Sequence, residues 1–287
     1  MKYSEKNESM RIESRQIGIR EYGSPEGKPV FYFHGFPGSR LDGLLFNFEE
    51  QAKKLNLRII CPDRPGIGLS DYDKRRWMIE WPPLVEAIAD ELRISSFSIL
   101  GISGGGPYAL ACAYAIPERL RSVAIVSGMG PIHYKECKKD LALSIPRKYV
   151  LIRRLMAYGM RKMLFKDPRK LIANIEKTLP QTDLDFLKKN DRMQQLLGAF
   201  RESFYQGLDG YLKEAEIYGD FWGFYLNDIQ VHVDIWHGTA DKNVCVDLAQ
   251  RIANKIHHSK LNIVEGLGHF SLVGQHLPPI LKNLADH

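Results

Sequence analysis

Three residues able to share one acyl-transfer reaction stand far apart in this chain, each just past a short apolar run. They are the serine of Gly101-Ile102-Ser103-Gly104-Gly105, the aspartate of His237-Gly238-Thr239-Ala240-Asp241, and the histidine of Gly266-Leu267-Gly268-His269-Phe270. The β-type run Phe97-Ser98-Ile99-Leu100 precedes the serine. An almost wholly apolar stretch, Pro107-Tyr108-Ala109-Leu110-Ala111, follows it and is stopped by Pro117. Strand, tight turn and helix with one serine at the apex make a nucleophile elbow. The glycines answer a steric demand, because the serine takes a strained backbone conformation and side chains beside it would crowd the turn. The hydroxyl then stands at a helix N-terminus, where free N–H groups and the helix dipole favour negative charge.

A serine hydroxyl is a weak nucleophile unless a base removes its proton during attack. His269 is the candidate base, and Asp241 would hold its tautomer and stabilise the imidazolium. The chain order Ser, Asp, His is the one this architecture uses. Asp241 has a duller alternative as a cap for a helix starting near Asn243, and Asp228 and Asp234 are rival acids. The other histidines are placed differently. His34 and His237 precede glycines at strand ends, where hydrogen-bonded supports are expected. His257 and His258 close a helix, His276 and His287 lie in or near the last one, His133 opens the middle segment, and His232 falls in a strand.

The elements that must carry these residues can be read in order. Arg11 to Glu21 alternates like an edge hairpin with one wet face. Val30-Phe31-Tyr32-Phe33 is a buried strand ending at His34-Gly35-Phe36-Pro37-Gly38-Ser39, and Leu57 to Cys61 is another, followed by the turn-rich Pro62 to Ser70. A helix starts at Trp81-Pro82-Pro83, with proline in its first turn. Val123 to Val126, Val231 to Trp236 and Leu261 to Val264 supply further strands, with a helix carrying Leu248, Ile252 and Ile256 and another closing the chain. Strands alternating with helices of about 10–15 residues predict an α/β class, mostly parallel sheet with helices on both faces. From His133 to Asp228 the rhythm is helical only, so residues 133–228 read as a helical lid inserted into a core made of 1–132 and 229–287. Ligands of such sheets bind above the carboxyl ends of the strands.

At this point the chain resembles the α/β-hydrolase fold superfamily, in particular its lid-bearing serine esterase-like members. The matching pieces are His34-Gly35-Phe36-Pro37-Gly38, Asp63-Arg64-Pro65-Gly66-Ile67-Gly68-Leu69-Ser70, the elbow, Gly238-Thr239-Ala240-Asp241 and Gly268-His269-Phe270. The resemblance implies an oxyanion hole from the main-chain N–H groups of Phe36 and Gly104, and a Ser103–His269–Asp241 triad that forms an acyl-enzyme. It implies no cofactor and no metal. Tyr108 and Phe270, adjacent to elbow and base, are expected to line the substrate pocket, with core packing as the competing role. A serine rather than an aspartate at the elbow argues against the superfamily's dehalogenases and epoxide hydrolases. The expected activity is hydrolysis of a small or medium carboxylic ester. The alternatives are thioester, amide or carbon–carbon bond cleavage, a lyase, and a ligand-binding sensor with slow turnover.

Composition sets the outer limits. The chain has 287 residues, 44% hydrophobic and 26% charged, which is ordinary for a globular domain. Its polar first residues show no secretory signal, and its four scattered cysteines suggest neither a zinc site nor a disulfide framework, so a cytoplasmic location is expected. The net charge of +6 arises between Lys135 and Lys170, where twelve Lys/Arg face three acids. Solvated outer faces of the lid helices are the simplest account. The sharper one is contact with an anionic membrane surface or an anionic acyl substrate. No recognition motif for nucleic acid accompanies the charge.

Overall fold

The computed structural model describes residues 8–131 and 149–286. Its eight strands are β1 (Ser9–Ile12), β2 (Arg15–Gly23), β3 (Lys28–Phe33), β4 (Leu57–Pro62), β5 (Phe97–Ile102), β6 (Leu120–Val126), β7 (Val233–Gly238) and β8 (Ser259–Val264). They form one sheet in the order β1-β2-β4-β3-β5-β6-β7-β8. The β1–β2 hairpin pairs antiparallel and sits at the edge, β2 meets β4 antiparallel, and every pairing from β4 to β8 is parallel.

Alternation along the central strands sorts side chains between two layers. Phe31 and Phe33 of β3 face one core with Phe97, Ile99, Val123 and Ile125, covered by α3 (Trp81–Glu91), α4 (Gly105–Ala115) and, beyond the helical insertion, the helix Val246–Lys255. Val30 and Tyr32 face the other core with Leu100, Ile102, Ala124 and Val126. That face is covered by α1 (Asp42–Leu45), α2 (Phe48–Lys54) and the last helix, His269–Asp286. All six residues of β5 are buried, so the elbow strand runs through the middle of the molecule.

Between β6 and β7 the described residues contain only helices: α5 (Val150–Lys166), α6 (Pro168–Thr178), α7 (Gln181–Leu187), α8 (Arg192–Ser203) and α9 (Asp209–Tyr218). The two helices that follow are accordingly α10 (Val246–Lys255) and α11 (His269–Asp286). The insertion has a small core of its own, with Ala157, Leu164, Leu197 and Phe204, and it docks on the loops that leave the carboxyl ends of the strands. Gln206 of the insertion donates to the carbonyls of Gly68 and Ser70 at 2.8 and 2.7 Å, for example. The expected start of the lid at His133, the basic residues from Lys135 to Lys148, Cys137 and His287 lie outside the described residues. Of the remaining basic stretch, Arg154, Lys162, Lys166, Arg169 and Lys170 are exposed as expected. They are interleaved with exposed Leu151, Leu155, Tyr158 and Phe165, which a purely solvated face does not explain.

The strand expected from Val231 starts at Val233, so His232 is outside it and exposed. Leu41, Leu44, Leu45 and Phe48 keep helical spacing, but the segment is divided into α1 and α2, with Asn47 between them in the left-handed region at φ 55°. No helix among the described residues is long and apolar enough to cross a membrane.

One close approach fixes how the elbow sits on the sheet. A Cβ on Gly105 would lie 1.9 Å from the carbonyl oxygen of Phe33, a backbone atom that cannot swing away. Gly105→Ala should therefore cost about 1–3 kcal/mol through overpacking. The melting temperature should fall by roughly 2–4 °C per kcal/mol, measurable by circular dichroism.

Candidate active site

Ser103 follows β5 directly and takes φ 54°, the strained conformation expected of the elbow. Its N–H donates to the carbonyl of Val126 at 2.9 Å, and its own carbonyl accepts from Gly106 and Met129, both at 3.0 Å. That double acceptance fixes the Ser103–Gly104 peptide plane. In a trans peptide the N–H points opposite the carbonyl, so the Gly104 N–H is aimed away from the elbow's own hydrogen bonds.

The Gly35–Phe36 peptide is held in the same way. The Gly35 carbonyl accepts from Arg64 Nη2 at 2.9 Å and from His34 Nδ1 at 3.0 Å. His34 Nε2 accepts the Arg64 main-chain N–H at 3.3 Å, which places the ring proton on Nδ1. Burial first, and then the Arg64 charge, push the His34 pKa well down, so the ring is a neutral support rather than a base. The Phe36 N–H is thereby oriented too. It lies 3.0 Å from where a Cβ on Gly104 would be, so the two candidate oxyanion donors come from adjoining peptides.

Across the cavity, His269 Nδ1 donates to Asp241 Oδ2 at 2.8 Å, which leaves Nε2 as the acceptor a general base needs. The other Asp241 oxygen accepts from Asn243 N at 2.8 Å and Val244 N at 2.9 Å. The carboxylate therefore both builds the turn after β7 and orients the imidazole. Helix α10 begins only at Val246, so the cap alternative does not describe it. His237, 3.5 Å from Asp241 Oδ2, sends Nε2–H to the Val244 carbonyl at 2.9 Å. The rival acids lie elsewhere. Asp234 accepts from Asn283 at 2.6 Å, and Asp228 is an exposed turn residue.

Opposing influences set the charge of the base. Burial drives the His269 pKa down, but the charge and hydrogen bond of Asp241, with Asp183 adding in the same sense, outweigh it and raise the value above 6.5. Burial likewise raises the Asp241 pKa, and the His269 partnership reverses the sign, so that carboxyl sits below its ordinary range.

Ser103, Asp241, His269, Phe36 and Phe270 all line one cavity of about 460 Å³, closed on its far side by Leu179, Leu196 and Phe200 of the insertion. Phe270 thus occupies its expected place. Tyr108 does not: it is 1% exposed and its hydroxyl donates to Glu214 of α9 at 2.9 Å, inside a charged cluster behind the elbow. The reason is the turn of α4, which carries this ring under α9 rather than towards the opening.

Three carboxylates escaped the reading of the sequence. Asp42 lines the cavity and accepts from Gly35 N at 2.9 Å, Ser39 N at 3.1 Å and Tyr32 at 3.2 Å, bracing the loop that carries Phe36. Burial raises its pKa to about 6 against the pull of those donors. Glu214 is fully buried between Arg64 at 2.8 Å and Arg76 at 2.6 Å. Burial pushes its carboxyl up, but the two guanidiniums prevail and bring it to about 2. Asp183 is also fully buried and caps the start of α11. Glu214 and Asp183 carry a legible signal, since Tyr211 and Tyr218 flank the first at helical spacing, and Phe186 and Leu187 follow the second by three and four residues. An acid in an apolar stripe must be paired if it is buried. Among the described residues no cluster of His, Cys, Asp or Glu could hold a metal ion.

The profile of the alpha/beta hydrolase fold family matches residues 28–274. A proline iminopeptidase from Lactobacillus helveticus is 29% identical over 266 residues, covering 86% of this chain and 85% of that protein. Among solved structures, a thermophilic esterase from Thermogutta terrifontis superposes with TM-score 0.68 at 18% identity, covering 97% of both chains. A bromoperoxidase from Bacillus anthracis gives 0.69 at 16% identity, over 97% of this chain and 99% of that one. At such identities the shared property is the fold.

Only neutral His269 can accept a proton, so kcat/KM should rise with pH through a midpoint above 6.5. Asp241→Asn should lower kcat by about 10⁴-fold and move that midpoint down, as read from a pH–rate profile. Glu214→Gln leaves Arg64 and Arg76 uncompensated and should cost about 3–5 kcal/mol. With its carboxyl at about 2 against an ordinary 4.5, Glu214 adds stability that is fully present above pH 4.5 and fades as pH falls towards 2. Urea midpoints of wild type and variant should converge over that window.

Proposed function

The chain belongs to the alpha/beta hydrolase fold family, and from that premise we propose that it is a serine hydrolase cleaving a small or medium carboxylic ester through an acyl-enzyme. One observation carries the reading: the 2.8 Å His269–Asp241 hydrogen bond stands in the same cavity as the strained Ser103 and Phe36, whose N–H is pinned by its loop. Ser103 Oγ attacks the ester carbonyl carbon while His269 Nε2 takes its proton. The oxyanion that forms accepts from the N–H groups of Phe36 and Gly104, and losing one such donor typically costs about 10²–10³ in rate. The imidazolium, stabilised by Asp241, returns the proton to the departing alkoxide. Water, deprotonated by the same nitrogen, then attacks the acyl-serine and releases the acid. Residues 133–228 act as the lid in this reading, and Leu179, Leu196 and Phe200 exclude water from the acyl group.

An amide substrate is the second reading, favoured by the similarity to the iminopeptidase. The charges around the cavity weigh towards the ester. Its two lining carboxylates, Asp42 and Asp241, already accept hydrogen bonds from the chain itself. The exposed lining charge is a cation, Lys242, so a positively charged imino terminus finds no spare carboxylate among the described lining residues.

A fluorophosphonate should label Ser103, located by mass spectrometry. Ser103→Ala should remove the adduct and lower turnover by about 10⁶-fold with the fold intact. In a panel of p-nitrophenyl acetate, butyrate and octanoate against proline p-nitroanilide, the esters should give the higher kcat/KM. A faster anilide reaction would move the assignment to the amide, and stoichiometric labelling without ester turnover would indicate a binding protein.

A further inference from the structure

Asp183 is a lid residue that touches the backbone of the base. Its Oδ2 accepts the main-chain N–H of His269 at 2.9 Å, and its Oδ1 accepts from Phe270 N at 3.0 Å, Ser271 N at 2.8 Å and Ser271 Oγ at 2.7 Å. These N–H groups open α11 and have no partner within the helix. The carboxylate that satisfies them comes from α7, 86 residues earlier in the chain, and is 0% exposed.

Its charge is balanced by the helix start alone. Among the described residues Asp183 makes no ion pair, and it accepts from the N–H and O–H groups just named. A fully buried carboxylate held in this way depends on the N-terminal dipole and on short donors. The chain is shaped to receive it, since a Cβ on Gly268 would stand 2.5 Å from both carboxylate oxygens. Five residues beyond His269, Gly274 leaves room for the Phe186 ring, which a Cβ there would meet at 2.1 Å. Helix α7 is thus seated on the first turns of α11 by a charge and a ring, three residues apart.

The base is the first residue of α11, so whatever fixes that turn fixes the root of the imidazole. We propose that Asp183 is a positioning residue for His269, which makes the seating of lid helix α7 a condition for a competent base. This rests on the serine-hydrolase reading above. If α7 lifts, the N–H groups of His269, Phe270 and Ser271 lose their acceptor and the helix start loses the charge that orders it, so the base is loosened along with the lid. Lid closure and base alignment then become one event. The charged groups that act on His269 are Asp241 on the β7 side and Asp183 on the lid side, and His237 beside Asp241 in turn feels the His269 charge.

The test compares wild type, Asp183→Asn, Asp183→Ala and, as a control, Asp185→Asn, whose exposed carboxylate accepts from Gln181 at 2.7 Å. Ester kcat, KM, pH profile and melting temperature are measured for each, below the lowest melting temperature. Asp183→Asn keeps the shape and one acceptor oxygen but turns an N–H donor towards His269 N. It should retain most of the melting temperature, lower kcat by about 10-fold or more with KM within about 3-fold, and shift the acidic limb down by a few tenths of a pH unit. Asp183→Ala should show the same kinetic changes, larger, with a lower melting temperature. Asp185→Asn should match wild type throughout. Should wild type turn over while Asp183→Asn keeps its kcat and pH midpoint, Asp183 is a structural cap and the proposal is overturned, as it is if Asp185→Asn behaves like Asp183→Asn. Absence of wild-type turnover and of Ser103 labelling would instead remove the hydrolase reading beneath it.

Discussion

The buried Arg64 guanidinium ties together the parts on which the site depends. It donates to the carbonyls of His34 and Gly35 at 2.7 and 2.9 Å, and it pairs with Glu214 of α9 at 2.8 Å. One planar cation thus clamps the loop after β3 and joins it to the helical insertion. Arginine suits the task because its rigid fork of donors reaches several acceptors in one plane and stays charged when buried. A buried pair of this kind is poor evidence of net stability, since desolvation offsets most of the attraction. What it supplies here is orientation, because turning the Gly35 carbonyl inward turns the Phe36 N–H the other way.

The insertion reaches the machinery at two further points. Tyr218 donates to the Gly104 carbonyl at 2.7 Å, next to the elbow, and Asp183 receives the first N–H groups of α11 beneath the base. Ser103, the Gly35–Phe36 loop and His269, the groups to which the proposed reaction gives its roles, each have one brace from the core and one from α7 or α9. The helices that shape the apolar wall therefore also hold the reacting groups, and the two roles cannot vary independently.

Electrostatics inside the cavity are a balance of burial against partners. Burial by itself pushes the His269 pKa down and the Asp241 pKa up. Their mutual contact reverses both tendencies, leaving a base poised above an ordinary histidine and an acid below an ordinary aspartate. Asp42 lacks a cation of its own in contact, and there burial prevails.

The sequence by itself determined the elements that local rules govern. Apolar runs, glycines at forced turns and the order of strand ends put Ser103, Asp241 and His269 just beyond the carboxyl ends of β5, β7 and β8, and the helical rhythm from α5 to α9 marked the insertion. Each of these depends on residues within a few positions of one another. For Tyr108 the sequence leaves pocket and core packing open, because adjacency to the elbow says nothing about where the turn of α4 sends a ring; the structure puts it in the core. Glu214 and Asp183 could be recognised as acids in apolar stripes, but their partners lie 150 and 86 residues away. Only the packing of the insertion on the sheet decides which buried donor meets which buried carboxylate, because a charge removed from water takes the counter-charge that the assembled chain presents and not the nearest one in sequence.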